Sequence, residues 1–303
     1  MAGANETMIN ELFVEKADTF RLERISLILL LGCNLKCKHC CVQAPYYERK
    51  YYPTLDFIKR EIDATFTIAD CINYFSVEGG EVFLRKDLAL ILTHLSQYVD
   101  KIGVEAPVIT NGSFLPGRDV IGAAKLFGEK IRFIIDDYGV LSPNAHEMAK
   151  ILRDEGIRCD LRNYDDNPYC GGWVDLYGDY GEKHSADAAE AMFLKCAWAQ
   201  KLHGVFEIIG GLFYFCPASR VFSERNRTEN EAIDFLAKGV SLQEIRARIQ
   251  AWFEGGAISA CRFCNGIHDH SERKRPAVQL TAGEETSARL STFRYRENLG
   301  EVL

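Results

Sequence analysis

Hydrophobic and polar positions follow a repeating pattern along the first 160 residues of the chain. Continuous apolar runs that stop at a glycine or a polar residue predict buried strands at residues 25–32, 71–77, 106–110, 131–135 and 157–161. Between these runs, apolar residues recur at helical spacing over residues 53–66, 87–99, 119–127 and 144–155. Strands that alternate with helices in this way are typical of a parallel α/β sheet or barrel.

The pattern changes after about residue 164. Residues 163–184 are rich in glycine, aspartate and aromatic side chains and have no regular period, which predicts a loop over the open end of the sheet. Two short strand-like runs, at residues 204–209 and 212–215, flank Gly210-Gly211 and predict a β-hairpin. A helical segment is expected ahead of Cys196, and a mostly helical stretch is expected over residues 230–253.

Composition narrows the classes of function. The chain has 303 residues, of which 47% are hydrophobic and 26% charged, and it contains eleven cysteines. The N-terminal residues lack the pattern of a secretory signal, and the longest apolar run is too short to cross a membrane. We therefore expect a cytoplasmic protein without a membrane partner, in which cysteines serve metal or redox chemistry more often than disulfides. The net charge of −7 argues against a nucleic-acid partner.

The strongest chemical signal is a CxxxCxxC motif directly after the first predicted strand, formed by Cys33, Cys37 and Cys40. Three thiolates on so short a loop can bind three irons of a cubane cluster and leave the fourth iron open to a small-molecule ligand. A second motif, Gly79-Gly80-Glu81, follows the second predicted strand. Its glycines allow close approach of the backbone to a ligand, and a carboxylate or carbonyl group can receive an ammonium group.

In these two motifs the chain resembles the radical SAM superfamily. The resemblance implies a partial (β/α)6 TIM-like barrel of parallel strands, with a [4Fe-4S] cluster on the CxxxCxxC loop and S-adenosylmethionine on the open iron. In that family, one-electron reduction cleaves S-adenosylmethionine to methionine and a 5′-deoxyadenosyl radical, which abstracts a hydrogen atom from the substrate. The resemblance thus implies an enzyme that works anaerobically with flavodoxin or ferredoxin as reductant.

The resemblance also implies cofactor contacts outside the cysteines. His39 stands where the family usually has an aromatic residue that contacts adenine, and Gly79, Gly80 and Glu81 stand where it binds the methionine amino group. Further contacts are expected at the carboxyl ends of later strands, from Thr110, Asn111, Asp136 and Arg162. The family often has a serine two residues before the aspartate of the fourth strand, and this chain has Ile134 there. For Arg162, a surface salt bridge is the alternative role.

A second group of cysteines lies in the last part of the chain and comprises Cys196, Cys216, Cys261 and Cys264. With the predicted hairpin, this group resembles the twitch subdomain, a shortened SPASM extension in which four cysteines bind an auxiliary [4Fe-4S] cluster. A zinc ribbon is the alternative, because four thiolates equally suit tetrahedral zinc. On this interpretation residues 1–190 form the radical SAM partial barrel, residues 191–275 the small cysteine-rich twitch subdomain of β-hairpin plus helix, and residues 276–303 a C-terminal tail.

The sequence leaves two reactions open. In twitch-type relatives the substrate radical loses a proton and passes an electron to the auxiliary cluster, which amounts to dehydrogenation. In epimerising relatives a thiol on the opposite face quenches the radical, and Cys170 in the predicted covering loop is the candidate hydrogen-atom donor. A non-catalytic loop cysteine is the competing interpretation of that residue.

The preferred substrate is compact and polar, such as a sugar or an aminocyclitol. The predicted covering loop carries aspartates, tyrosines and Trp173 that can bind hydroxyl or amino groups, and only about 24 residues precede the first predicted strand, too few for the recognition domain of many peptide-modifying relatives. A peptide- or protein-modifying maturase that forms an epimer, a thioether, a crosslink or a formylglycine is the first alternative. A non-catalytic metal-binding protein is the second.

Overall fold

The computed structural model describes residues 19–48, 50–164, 173–225, 227–228 and 231–287. Its strands are β1 (Arg21–Ile28), β2 (Cys71–Glu78), β3 (Ile102–Thr110), β4 (Ile131–Asp137), β5 (Arg158–Asn163), β6 (Phe206–Ile209), β7 (Leu212–Tyr214) and β8 (Ile233–Asp234). Within the described residues they form one eight-stranded sheet in the order β5-β4-β3-β2-β1-β6-β7-β8. Strands β1 to β6 pair in parallel with their neighbours, and β7 and β8 add antiparallel pairs at one edge.

The α-helices are α1 (Leu55–Ile68), α2 (Leu88–Leu95), α3 (Arg118–Lys125), α4 (Ala145–Asp154), α5 (Ala186–Phe193), α6 (Pro217–Glu224), α7 (Leu242–Glu254) and α8 (Ala282–Ser287). Helices α1 to α4 each connect two consecutive parallel strands, as such connections require. The predicted α/β fold with a mostly parallel sheet is confirmed, and it is consistent with a radical SAM partial barrel. Among the helices of the described residues, none combines the length and the hydropathy needed to cross a bilayer.

The two faces of the sheet differ in character because successive side chains of a strand point to opposite sides. On one face, residues such as Leu27, Phe75 and Phe133 pack with the helices in one large apolar core. On the other face, the same strands carry polar side chains. We call this set the polar face, and it consists of Ser26, Ser76, Glu78, Asp136, Arg162 and Glu207.

The predicted hairpin of β6 and β7 is present, and its first strand extends the parallel sheet. Phe206 of β6 pairs with Ile25 of β1, and Leu212 of β7 pairs with Ile209. The hairpin therefore starts inside the sheet that carries the cysteine loop. The predicted domain boundary at residue 190 separates two strands that are hydrogen-bonded neighbours here.

The structure corrects the prediction for residues 230–253. The helix in this stretch begins only at Leu242, after Gly239 adopts a positive φ of 83° and Ser241 caps the first turn by accepting a hydrogen bond from the Glu244 N–H. Ahead of the helix, Ile233–Asp234 form β8 instead. A helix that was not predicted, α6, starts at Pro217, whose fixed φ suits the first helical position.

Candidate active site

The cysteine loop continues directly from β1 and is held by the segment that follows β2. The Leu29 N–H donates to the Glu78 carbonyl at 2.8 Å, the Gly80 N–H to the Leu30 carbonyl at 2.8 Å, and the Glu81 N–H to the Gly32 carbonyl at 2.9 Å. These bonds extend the pairing of the two strands past their ends. They fix the backbone immediately before the first cysteine.

The two glycines of the second motif are required by this close approach. A Cβ atom on Gly79 would lie 2.4 Å from the Leu30 carbonyl oxygen, and one on Gly80 would lie 2.0 Å from the Gly32 carbonyl oxygen. Both obstacles are backbone atoms, which cannot rotate away as a side chain can. Gly80 therefore places the motif against the backbone that leads into Cys33.

The three thiols of the loop share one buried environment. Burial raises the pKa of Cys33 and of Cys37 to about 12, and mutual repulsion with Cys40 adds to both increases. The thiols pack with Leu35 and with apolar side chains from other segments, namely Ala277, Tyr138, Leu141 and Trp173. A group of three thiols in a shielded pocket at the end of a parallel strand fits three corners of a cubane cluster.

A site for a single metal ion differs from a site for an iron–sulfur cluster in how closely its ligands approach each other. In the part of the chain that the structure describes, no three histidine, cysteine, aspartate or glutamate side chains form a group that could hold one metal ion. A cubane cluster binds each cysteine at a different iron, so its ligands lie around a larger object than a single ion.

Glu81 connects the second motif to the end of β3. Its carboxylate is fully buried and accepts hydrogen bonds from the Thr110 hydroxyl at 2.8 Å, the Asn111 N–H at 2.8 Å and the Phe83 N–H at 3.0 Å. Burial raises the pKa of this carboxyl group, and the three donors oppose that increase. Three predicted cofactor residues thus form one network in which the acid holds Thr110 and Asn111 in place.

Asn111 carries this network to the cysteine loop. Its side-chain N–H group donates to the Cys33 sulfur at 3.7 Å and to the Asn34 side-chain oxygen at 2.9 Å. Asn34 in turn donates to the Ser113 hydroxyl at 2.9 Å. The end of β3 therefore orients the first cysteine and touches its sulfur.

His39 lies beside the described part of the predicted covering loop. Its Nδ1 atom is 3.9 Å from the Asp175 carboxylate. The nearby His39 is the largest of the influences that lower the pKa of Asp175 to about 2. The Gly178 N–H also donates to this carboxylate, at 2.9 Å. The imidazole of His39 therefore lies next to a carboxylate that backbone N–H groups hold in place.

Asp136 and Arg162 face each other at the ends of β4 and β5. The guanidinium lies 3.7 Å from the carboxylate, which also accepts hydrogen bonds from the Tyr138 hydroxyl at 3.3 Å and the Tyr164 hydroxyl at 3.2 Å. Burial raises the pKa of Asp136 to about 6, although Arg162 opposes the increase. The partner of Arg162 is therefore a shielded carboxylate of the polar face.

The sequence analysis did not predict a role for two acidic residues of the polar face, Glu78 and Glu207. Burial raises the pKa of Glu78 to about 7, against a hydrogen bond from Ser26, and Glu207 is fully buried in an ion pair with Arg220. The signal was present in the sequence, because Ser26 and Glu207 are polar positions inside otherwise apolar strands. Such positions point away from the helix-packed core.

The second cysteine group is collected from distant segments. Cys196 follows α5, Cys216 precedes α6, and Cys261 and Cys264 lie in and after a short 3-10 helix at Ser259–Arg262. All four thiols line one cavity, whose other walls are mainly apolar and include Leu176, Met192, Phe193, Trp198, Phe215 and Ile258. Burial raises the pKa of Cys216 well above its usual value, and repulsion from the other three thiols adds to it. Cys170, the proposed hydrogen-atom donor, lies outside the described residues.

The comparison with protein families finds a match in the first part of the chain. Residues 27–159 match the sequence pattern of the Radical SAM superfamily, and this stretch contains the CxxxCxxC loop, the Gly79-Gly80-Glu81 motif and the ends of β2, β3 and β4. This part of the chain is therefore similar to a radical SAM domain. Members of the superfamily are enzymes, and the family implies S-adenosylmethionine and one [4Fe-4S] cluster as cofactors.

Curated relatives match over a short stretch. The chain is 30% identical over 83 residues to GTP 3′,8-cyclase of Campylobacter jejuni subsp. doylei, which is 27% of this chain and 25% of that protein. It is 33% identical over 88 residues to a putative glycyl-radical enzyme activating enzyme of Methanocaldococcus jannaschii, which is 29% of this chain and 33% of that protein. The chain thus spans about a quarter to a third of the length of these relatives.

The likeness to a solved structure extends further. The crystal structure of BtrN in complex with AdoMet and 2-DOIA matches with a TM-score of 0.54, over 84% of this chain and 97% of that one, at 14% sequence identity. At this identity the match shows a shared fold.

Proposed function

We propose that the chain is a radical SAM enzyme in which Cys33, Cys37 and Cys40 hold the cluster that binds S-adenosylmethionine. The observation that carries the proposal is the grouping of these three thiols on the loop at the carboxyl end of β1, where the backbone that leads into the loop lies against Gly80. When bound, the cluster and S-adenosylmethionine supply a 5′-deoxyadenosyl radical. The chain's own residues then orient the cofactor, through His39 and the network around Glu81, and exclude water from it.

The polar face supports a compact polar substrate. Its carboxylates Glu78 and Asp136 are shielded from bulk water, and the guanidinium of Arg162 lies 3.7 Å from Asp136. Shielded, oriented groups of this kind bind hydroxyl and amino groups with little reorganisation. A sugar or an aminocyclitol matches this lining.

The reaction is a dehydrogenation or an epimerisation at a C–H bond. Dehydrogenation removes a hydrogen atom, a proton and an electron from the substrate, so it needs a proton acceptor and an electron acceptor. The pKa of about 7 at Glu78 suits a group that accepts a proton near neutral pH, and an auxiliary cluster would accept the electron. Epimerisation instead needs a hydrogen-atom donor, for which Cys170 is the candidate.

The cavity that the four later cysteines line supports a metal centre, because four thiols converge on it from separate segments. We assign it an auxiliary [4Fe-4S] cluster, as the resemblance to the twitch subdomain implies, and tetrahedral zinc is the alternative. Residues 191–275 would then serve as the twitch subdomain, built on the β6–β7 hairpin and α6. A flavodoxin or ferredoxin is the proposed reductant.

The first experiment asks whether S-adenosylmethionine is cleaved. After anaerobic reconstitution, dithionite and S-adenosylmethionine should yield 5′-deoxyadenosine, measured by mass spectrometry. Cys33→Ala should abolish it, whereas Cys71→Ala, a matched change at the far end of β2, should not. No 5′-deoxyadenosine from the reconstituted wild type would end the proposal.

The second experiment separates the two reactions. With a turned-over substrate in deuterated buffer, epimerisation incorporates deuterium at the abstracted carbon, and Cys170→Ala should prevent this. An oxidised product without solvent deuterium supports dehydrogenation. Deuterium incorporation that persists in Cys170→Ala would exclude that thiol as the donor.

A further inference from the structure

A segment near the C-terminal end of the described chain lies along the cysteine loop. The Lys38 N–H donates to the Val278 carbonyl at 2.7 Å, and the Leu280 N–H donates to the Lys36 carbonyl at 2.8 Å. Between these bonds, Cys37 and Gln279 form an isolated antiparallel bridge. We call residues 277–280 the C-terminal strap. It pairs with the middle cysteine of the motif across more than 200 residues of sequence.

The strap also shields this cysteine from solvent. Ala277 adopts a left-handed conformation with φ of 53° and is 4% exposed, which turns the chain onto the loop. It packs against Leu35 and Cys37. An electrostatic contact to the sulfur of Cys37 is therefore made in a poorly hydrated place, where such contacts are strong.

The side-chain amide of Gln279 forms hydrogen bonds through both its oxygen and its nitrogen. Its oxygen accepts a hydrogen bond from the Lys36 N–H at 2.7 Å. Its nitrogen donates to the Ala277 carbonyl at 2.7 Å and to the Cys37 sulfur at 3.5 Å. Because a backbone N–H can only donate, the Lys36 bond fixes the amide oxygen on that side and leaves the amide nitrogen facing the sulfur. The donor is thus aimed by the backbone of the loop itself.

We propose that Gln279 is a positioning residue that acts through Cys37 and raises the reduction potential of the S-adenosylmethionine-binding cluster. The inference rests on the proposed function, since it needs a cluster on this loop. One-electron reduction adds negative charge to the cluster and its thiolates. An N–H group directed at a ligand sulfur stabilises that added charge and so favours the reduced state.

The test is a potentiometric titration of the reconstituted protein, followed by electron paramagnetic resonance. The signal that changes on addition of S-adenosylmethionine identifies the cluster in question. Gln279→Leu removes the donor, and the ratio of reduced to oxidised cluster at a fixed potential should fall about fivefold. At 59 mV per tenfold change for one electron, this is a shift of about 40 mV to more negative potential.

A second variant covers the case in which Gln279→Leu assembles poorly. Gln279→Glu keeps the oxygen that accepts from Lys36 but replaces the donor with a negative oxygen, so its shift should be in the same direction and larger. Val278→Ala is the matched control, because Val278 contributes its backbone carbonyl to the strap and no side-chain donor to a sulfur. The cluster of the Val278→Ala variant should have the same reduction potential as that of the wild type.

Two failures are distinguishable. If the wild type binds no iron and gives no signal that responds to S-adenosylmethionine, the proposed function is wrong. If the wild type gives the signal and Gln279→Glu titrates at the wild-type potential, the role of Gln279 is overturned and the proposed function stands.

Discussion

The two cysteine groups differ in how the fold brings their thiols together. Cys33, Cys37 and Cys40 lie within eight residues of one loop, whereas the four later cysteines come from segments that span residues 196 to 264. The first group depends on the local backbone and on the strand ends that hold it. The second exists only when α5, α6 and the turn at Ser259–Arg262 are packed together.

The surroundings of the two groups differ as well. Side-chain amides of Asn111 and Gln279 donate to sulfurs of the first group, and Glu78, Asp136 and Arg162 of the polar face lie at the same, carboxyl end of the sheet. The second group lines a mainly apolar cavity, in which the Gly266 N–H donates to the Cys264 sulfur at 3.2 Å. Polar surroundings suit a site that must bind and orient a ligand, and an apolar enclosure suits one that only exchanges electrons.

The largest expected effect is on the formation of 5′-deoxyadenosine, which should depend on the first cysteine group and not on the second. Cys37→Ala should reduce 5′-deoxyadenosine formation at least 100-fold, because the open-iron cluster cannot assemble. Cys216→Ala should keep that activity while product formation is lost, because only the later group is affected. Iron analysis should fall from about eight to about four atoms per chain in each variant. Loss of 5′-deoxyadenosine in Cys216→Ala would show that the two sites are not independent.

The next largest effect compares a glycine beside each cysteine group, Gly80 and Gly266. The added Cβ of Gly80→Ala meets backbone atoms 2.0 Å away, so the loop itself must move, at a cost of about 3 kcal/mol or more. The added Cβ of Gly266→Ala meets the Met192 sulfur at 2.3 Å, the end of a flexible side chain, although the φ of 71° adds strain of about 1 kcal/mol.

The readouts for the two glycine variants are iron content and urea unfolding. Gly80→Ala should lose the irons of the first cluster, and Gly266→Ala should retain most of the iron at both sites. Equal iron loss in the two variants would contradict the distinction between a backbone obstacle and a side-chain obstacle.

The contrast also explains how much the sequence alone could predict. Cys33, Gly80 and Asn111 lie in short motifs next to predicted strands, so their proximity follows from the rule that parallel strands end at one edge. Glu78 and Glu207 were missed although their alternation with apolar neighbours was visible. Each looked like an isolated polar residue until the pairing of β1 with both β2 and β6 placed them on one face.

The rest could not be predicted because it depends on pairing between distant segments. Residues 276–303 were interpreted as a tail, yet Gln279 pairs with Cys37, and nothing local to either residue encodes that bridge. The helical prediction for residues 230–253 holds only from Leu242 onwards, for a similar reason. Ile233 pairs with Phe213 of the hairpin, and this tertiary contact overrides the local helical pattern.

A smaller effect concerns the anchor of the hairpin that leads to Cys216. The Glu61 carboxylate, on α1, is buried and accepts a hydrogen bond from the Gly211 N–H at 2.7 Å. Burial raises its pKa from 4.5 to about 8. The folded state therefore keeps a proton that the unfolded state releases above pH 4.5. As a result, the contribution of Glu61 to the free energy of unfolding falls as the pH rises from about 4.5 to about 8.

The variant Glu61→Gln removes this titration while keeping an oxygen for the Gly211 N–H. The limiting slope from such a group is about 1.4 kcal/mol per pH unit, so the free energy of unfolding of the variant should decline less between pH 5 and pH 8. Urea unfolding at several pH values measures it. Parallel curves for variant and wild type would show that Glu61 is not the titrating group.

The smallest effect tests whether the second group depends on the helix that delivers Cys196. Ser185 caps α5 by accepting a hydrogen bond from the Ala188 N–H at 3.3 Å, and Ser185→Ala should cost about 1 kcal/mol. Thr54→Ala removes the equivalent cap of α1, in the part of the chain that matches the radical SAM family, where the Phe57 N–H donates at 3.3 Å. Because α5 ends three residues before Cys196, only Ser185→Ala should release auxiliary iron faster to a chelator. The variant Ser185→Asp restores the cap and should bring the release rate back to that of the wild type. Equal iron release from the Ser185→Ala and Thr54→Ala variants would mean that the later cysteines respond to overall stability rather than to the element that carries them.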